Sequence, residues 1–255
     1  MTIKIKQKFK RIITHSGRFH ADEVFAIAFL LFHNLVETDY EIVRLKNYDN
    51  FNKKNTDIVI DISGKLDSKN NIYDHHYAND IGHSTCVLIL NKFMKDKRLR
   101  RFIYDSLFKS ISEADTGKNK TQNASLSLLI SLINNLENNA FQTAITQALF
   151  IYEVYYINGI KTIQDEIELL NNISNTSTVY YINEQNKEYA NWKRLLKKSN
   201  IKFMIYKHQR NKKGFCVKHV DSLPLKGKKL AENIDNIICF DTIEESIDFC
   251  NKFKN

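Results

Sequence analysis

Two histidines and two carboxylates crowd one short stretch of this chain. THSGRFHADE, residues 14–23, sets His15, His20, Asp22 and Glu23 between apolar Ile12-Ile13 and the run Val24–Phe32. Farther on, Asp61 closes DIVID, Asp74-His75-His76 follow NIY, and Asp115 lies in SEADTG. Imidazole nitrogens and carboxylate oxygens are the donors that hold divalent cations. Carboxylates gathered without a cation would repel one another, and two divalent ions would remove that conflict. A mixed His and Asp set with open positions suits Mn²⁺, with Mg²⁺, Fe²⁺ or Co²⁺ as substitutes. Each residue also has an ordinary reading. A lone strand-terminal Asp is commonly a turn former or cap, and one His-His pair arises by chance. The ordered combination is what points to a site.

The elements that carry these residues alternate. RIIT reads as a strand, and Asp22 to about Val36 as a helix with Asp22 as its N-cap. EIVRL, DIVID and NIYD read as short buried strands, and a helix follows from about Ser84. Strands alternating with helices predict an α/β fold with a mostly parallel sheet flanked by helices. In such a sheet the carboxyl ends of the strands line the ligand crevice. His15, Asp61 and Asp74-His75-His76 all fall at those ends. From about residue 97 to 171 the spacing turns helical, as in Leu126, Leu129, Ile130, Ile133 and Phe141, Ile145, Leu149, Tyr152. NNISNTS has the composition of a linker. Beyond it TVYYI, KFMIY, GFCVKHV and IICF read as strands. NKEYANWKRLLKK and TIEESIDFCNKF read as helices, the second capped by Asp241 or Thr242. The expected organisation is residues 1–172 as one domain with a helical block, and 178–255 as a smaller α/β domain.

Composition narrows the classes. At 255 residues with 43% hydrophobic and 26% charged side chains, the chain is globular rather than disordered. No apolar run reaches membrane-span length, so no membrane partner is expected. The basic start MTIKIKQKFKR lacks the apolar core of a secretory signal, and an organellar presequence would have to end almost inside the first motif. The four cysteines form no Cys-x-x-Cys pair, which fits a reducing compartment, in the simplest case the cytoplasm. Net charge is +9, and residues 187–229 hold fourteen Lys and Arg against Glu188 and Asp221. That asymmetry suits a polyanionic partner, against the alternative of a solvated lysine-rich face.

THSGRFHADE, EIVRL, DIVIDISG, YDHH and EADTG together resemble, in order, the signatures of the DHH phosphoesterase superfamily. More closely they are similar to its Myg-type exonuclease branch, whose first motif reads Thr-His-x-Gly-x-Phe-His-x-Asp-Glu. HSTCVLIL resembles the helix start that follows in that family. The resemblance implies that His15 and His20 bind one metal and Asp22 the other. It implies that Asp61 bridges both, that His75 and Asp115 complete the second site, and that His76 lies near the scissile phosphate. Asp74 would orient a histidine. In most of the superfamily the first motif is His-x-x-x-Asp-x-Asp; here His15-x-x-x-x-His20-x-Asp22 is one residue longer, with His replacing the first Asp. Glu23, in the first helical turn, is assigned to the helix dipole.

The implied activity is two-metal hydrolysis of phosphodiester bonds in RNA or short oligonucleotides, of 3′-5′ exonuclease type by resemblance. The alternatives are a hydrolase of small phosphorylated nucleotides or pyrophosphate, and a non-catalytic nucleic-acid-binding protein. Myg-type proteins carry a glycine-rich loop before the last helix, whereas this chain runs from NIICF into DTIEESIDFC. The basic residues Arg210, Lys212 and Lys213 are candidates to hold substrate in its place. So is His219, which strand alternation puts on the face opposite Lys218. Ser84, at the start of a helix, is a further candidate for touching phosphate.

Overall fold

The computed structural model of the chain describes residues 8–77, 82–118, 125–136, 138–172, 179–182, 201–207, 214–219 and 237–252. The chain divides into two compact units, Met1–Ile160 and Lys161–Asn255.

The first unit is built on five strands: β1 Phe9–His15, β2 Val36–Leu45, β3 Asp57–Ile60, β4 Leu66–Asp67 and β5 Ile72–Tyr73. Their order across the sheet is β2-β1-β3-β5-β4. The pairs β1–β2, β1–β3 and β3–β5 are parallel, and only the short edge strand β4 is antiparallel. The chain passes from β2 on one side of β1 to β3 on the other. The order therefore reverses at β1, and the carboxyl ends of β1 and β3 open a crevice there.

Helix α1 (Ala21–Phe32) is buried from Ala21 through Leu30, because the sequence is apolar all round rather than along one stripe. It ends earlier than the periodicity suggests. Asn34 takes a left-handed conformation, φ 54°, donates its N–H to Leu31 O, and lets Leu35 N–H reach back to Leu30 O. This αL stop releases Val36 into β2. The N-terminus also differs from expectation. His20 occupies the N-cap without a side-chain capping bond, and Asp22 sits inside the first turn. Its carboxylate is turned away from its own helix, toward the crevice.

The helical block contains α2 (Thr85–Phe93), α3 (Lys97–Ile103), α4 (Lys109–Asp115), α5 (Leu126–Ile133) and α6 (Ala140–Asn172). A π turn over Tyr104–Phe108 joins α3 to α4. Such a turn inserts about one extra residue and so rotates α4 relative to α3; α4 then ends on Asp115. Asp96 caps α3, accepting the N–H groups of Arg98 and Leu99. On α6, Gly159 lets the helix approach α3 closely: a Cβ there would lie 2.7 Å from Leu99 and 2.8 Å from Phe102. No helix among the described residues is long and apolar enough to cross a membrane.

The second unit holds a four-stranded sheet of β6 (Val179–Ile182), β7 (Phe203–Lys207), β8 (Phe215–His219) and β9 (Ile237–Phe240), in that order. Only β6–β7 is parallel. Helix α7 (Ile243–Lys252) packs on it, with Phe203, Ile205, Val217, Ile238 and Cys250 as its core. Thr242 is the cap: its hydroxyl accepts Glu245 N–H at 3.2 Å, while the Glu245 carboxylate accepts the N–H groups of Asp241 and Thr242. Cys216 and Cys239, which no sequence spacing links, face each other across β8–β9 with Sγ atoms 3.1 Å apart. Both are free thiols, and burial pushes Cys216 up to about 12. The expected helix NKEYANWKRLLKK and the residues Arg210, Lys212 and Lys213 lie outside the described residues.

Candidate metal centre

Three neighbouring parallel strands deliver the site. His15 ends β1, Asp61 follows β3, and Asp74-His75-His76 follow β5. Asp61 itself is left-handed, φ 55°. Asp is among the few residues that adopt this readily, and the sharp turn leaves its carboxylate at the mouth of the sheet. Asp22 arrives from α1 and Asp115 from the last position of α4.

These groups converge on one centre. His15 Nε2 lies 3.4 Å from Asp61 Oδ2, and His75 Nδ1 lies 3.3 Å from Asp61 Oδ1. His75 Nε2 is 3.0 Å from Asp115 Oδ2, and its Nδ1 is 3.8 Å from Asp22 Oδ2. The His15 and His20 rings are 5.5 Å apart, those of His75 and His76 4.0 Å. Three groups of donors have ligand atoms mutually within 4.8 Å: Asp61, Asp74, His75 and His76; His15, His20 and Asp61; His20, Asp22 and Asp115. Asp61 and His20 are each shared between two groups. The floor is buried, with Asp22 and Asp61 at 0% and 3% exposure, while His20 and His76 form an open rim.

Unsatisfied atoms mark where a cation fits. Buried atoms that make no well-aligned hydrogen bond include His15 Nε2, Asp22 Oδ1, Glu23 Oε1, Asp61 Oδ2 and Asp115 Oδ2, although His15 Nε2, Asp61 Oδ2 and Asp115 Oδ2 have an oppositely charged side chain within 3.4 Å. Orphaned buried polar atoms are rare in folded proteins. Among the described residues only Tyr73 Oη and His83 Nδ1 share that state outside His15, Asp22, Glu23, Asp61 and Asp115, whose nitrogen and carboxylate donors match a divalent ion.

Residues 11–87 match the family model MYG1_exonuc, described as Uncharacterised protein family (UPF0160). Over these residues the chain is similar to the Myg-type family. A "MYG1 protein" of Chlamydia pneumoniae is 29% identical over 135 residues, covering 50% of this chain and 46% of its own. The human "MYG1 exonuclease" is 43% identical over 67 residues, 26% of this chain and 17% of that protein. "MYG1 protein C27H6.8" of Caenorhabditis elegans is 35% identical over 86 residues, 34% and 24%. The matches thus span less than half the length of these relatives. No solved structure matches the chain significantly.

The electrostatics of the cluster follow from this packing. Burial alone would lower the pKa of His15, but Asp61 and Glu23 reverse that and raise it to about 10. Burial acts likewise on His75, and Asp115 and Asp61 raise it to about 10. Burial beside Asp61 and Asp115 pushes the Asp22 carboxyl well up. Asp61 goes the other way: burial would raise it, yet His15 and His75 hold it well below the carboxylate range. Without metal, the cluster balances its charge with protons.

Asp74 orients His76. Its Oδ1 accepts the His76 N–H at 2.9 Å and lies 2.7 Å from Nδ1, and its Oδ2 accepts Gly64 N–H at 2.6 Å. An Nδ1–H given to Asp74 leaves the His76 Nε2 lone pair available. Ser84 occupies the cap of α2 but is fully buried. Its N–H is donated to Ser112 Oγ and its Oγ lies 3.3 Å from Cys86 Sγ. His219 stands at the end of β8, opposite Phe203.

Two further side chains take part that motif and spacing do not assign. Glu23 is fully buried, accepts the Thr14 hydroxyl at 2.6 Å, and brings Oε2 to 2.9 Å from His15 Nε2. It belongs to the centre rather than to a solvated helix end. A signal existed: a carboxylate opening a helix that is apolar all round has no water to face. Thr85 donates its N–H to Asp22 and its hydroxyl to Asp61, and stands 3.3 Å from His75 Nδ1. It ties three donors together from the first position of α2.

Proposed function

We propose that this chain is a two-metal-dependent phosphodiesterase that hydrolyses RNA or short oligonucleotides, as a 3′-5′ exonuclease. The observation that carries it is the gathering of donor atoms of His15, His20, Asp22, Asp61, His75 and Asp115 in overlapping groups, with buried atoms of His15, Asp22, Asp61 and Asp115 lacking a well-aligned hydrogen bond. Likeness to a protein named an exonuclease supports the reaction class. His15, His20 and Asp61 would hold one ion, and Asp22, His75 and Asp115, together with Asp61, the other. Mn²⁺ suits this donor set best, with Mg²⁺ or Co²⁺ as substitutes. Bound there, such ions supply Lewis acidity toward the phosphoryl oxygens and an activated water. Thr85 and Glu23 hold the donors in place, and Asp74 aims the exposed His76 at the scissile phosphate. The basic C-terminal segment, with Arg210, Lys212 and Lys213, provides the cations for the polyanion, and His219 is a further candidate contact.

A second reading, hydrolysis of small phosphorylated nucleotides or pyrophosphate, is favoured by the two-residue passage of β9 into α7 through Asp241 and Thr242. It leaves no room for the glycine-rich loop that the family resemblance implies. Labelled single-stranded RNA, single-stranded DNA, a dinucleotide, a nucleoside bisphosphate and pyrophosphate, each with Mn²⁺, separate the readings. Release of mononucleotides from the RNA 3′ end, abolished in Asp61→Asn, is the expected result. Turnover of the small substrates alone supports the second reading. RNA binding with no turnover overturns both.

A further inference from the structure

The five residues Ser16–His20 join β1 to α1 and carry a candidate metal donor at each edge, His15 before them and His20 at their end. A loop this short can hold two donors in register only if its backbone is fixed before a cation arrives. Ordering it on binding would cost about 1–2 kcal/mol per residue. Nor does His20 gain order by capping, since its side chain makes no capping bond.

The backbone is held from outside. Asn134, at the end of α5, reaches Phe19 with both ends of its amide: Oδ1 accepts Phe19 N–H at 3.0 Å, and Nδ2 donates to Phe19 O at 2.9 Å. This is the bond pair of a β-ladder, made by one side chain across 115 residues of sequence. It fixes both peptide planes flanking Phe19, including the one that leads into His20. From the other side, Arg44 of β2 donates Nε to His15 O at 3.1 Å and Nη2 to Gly17 O at 3.0 Å. Its guanidinium lies 4.1 Å from the Phe141 ring of α6, and that ring packs 5.3 Å from Phe19, itself 3% exposed. A planar cation stacked on an aromatic ring and spending its N–H groups on carbonyls is preorganised.

We propose that Asn134 is a positioning residue for the metal donor His20, with Arg44 and Phe141 holding the opposite side of the same loop. α5 contributes no donor to the centre. Its part is to present Asn134, so the helical block sets the geometry of a site whose donors lie elsewhere in sequence. The inference rests on the reading of the cluster as a metal centre. A residue that orients a metal donor shifts affinity about 10–100-fold when lost.

The test is Mn²⁺ affinity by titration calorimetry, well below the unfolding temperature, in the wild-type chain, Asn134→Ala, Asn134→Asp and Asn135→Ala. Asn135 is exposed and one residue away, so it controls for damage to the helix end. Asn134→Ala is expected to bind about ten-fold or more weakly. Asn134→Asp, which keeps the acceptor for Phe19 N–H and loses the donor, should fall between it and wild type. Asn135→Ala should match wild type. A purely structural role for Asn134 would lower the melting temperature and leave the affinity of the folded protein unchanged. That result, in either folded Asn134 variant, overturns the inference alone. Wild-type protein that binds no Mn²⁺ overturns the metal-centre reading as well.

Discussion

Asp61 is the position where one substitution series separates charge, metal binding and backbone. Its carboxylate stands between His15 and His75 at 3.4 and 3.3 Å, and accepts the Thr85 hydroxyl. Its φ of 55° is a separate constraint. In metal-free protein, Asp61→Asn removes one of the carboxylates facing the half-buried His15 and the buried His75, Glu23 and Asp115 remaining, so the loss should stay below the about 3–5 kcal/mol of breaking a fully buried pair. Asn tolerates the left-handed backbone, so nothing further is lost. Asp61→Ala forfeits the same charge and adds about 1–2 kcal/mol of backbone strain. At about 2–4 °C per kcal/mol for a unit of this size, Ala should melt several degrees below Asn. Metal reports separately. On the metal-centre reading, Mn²⁺ at about one hundred times its dissociation constant should stabilise wild type by about 2.7 kcal/mol, which neither variant should show. Thermal melts with Mn²⁺ and with chelator give all of these quantities. A metal-induced shift of wild-type size in Asp61→Asn would refute Asp61 as a donor. Equal melting of Ala and Asn in chelator would refute the backbone argument.

His33 offers a pH signature away from the centre. It is packed against Phe29, Phe32 and Tyr156 with Nε2 2.8 Å from the Tyr152 hydroxyl, and burial lowers its pKa from 6.5 to about 4. The unfolded chain therefore takes up a proton near pH 6.5 that the folded protein refuses until about pH 4. Stability is full above about 6.5 and is lost by at most about 3 kcal/mol as pH falls to about 4. Urea midpoints of His33→Phe should fall less steeply over that window; parallel curves for the two proteins would sink the idea. Gly159→Ala sets a helix-propensity gain of about 1 kcal/mol against overpacking of about 1–3 kcal/mol where the new Cβ meets Leu99 and Phe102. The clash should win, lowering the melting temperature by a few degrees, and a more stable variant would contradict the close α3–α6 approach.

Much of the centre is legible in residue order, because a parallel sheet obeys a simple rule. Candidate donors that follow neighbouring buried parallel strands must emerge at one edge, so His15, Asp61 and Asp74-His75-His76 could be placed together from RIIT, DIVID and NIYD alone. The strand and helix types are legible for the same reason, since periodicity reports burial. Boundaries are not. Where α1 stops depends on whether Asn34 turns left-handed, a choice between nearly equal local conformers. Where it starts depends on whether Asp22 serves its own helix end or the neighbouring cluster.

Local pattern settled the donor types, their order and the alternation that carries them. Three-dimensional packing settled which carboxylates are truly in the centre and what aims the histidines. Glu23 reads as a helix-end charge until α1 proves buried on every side, and Asn134 reads as an ordinary polar residue until α5 docks it on Phe19. Such partners are separated by long stretches of chain, and their hydrogen bonds depend on distances that no local periodicity encodes. Burial adds the rest: only a folded interior can hold Asp22 and Asp61 together without water, pushing one carboxyl up and the other down.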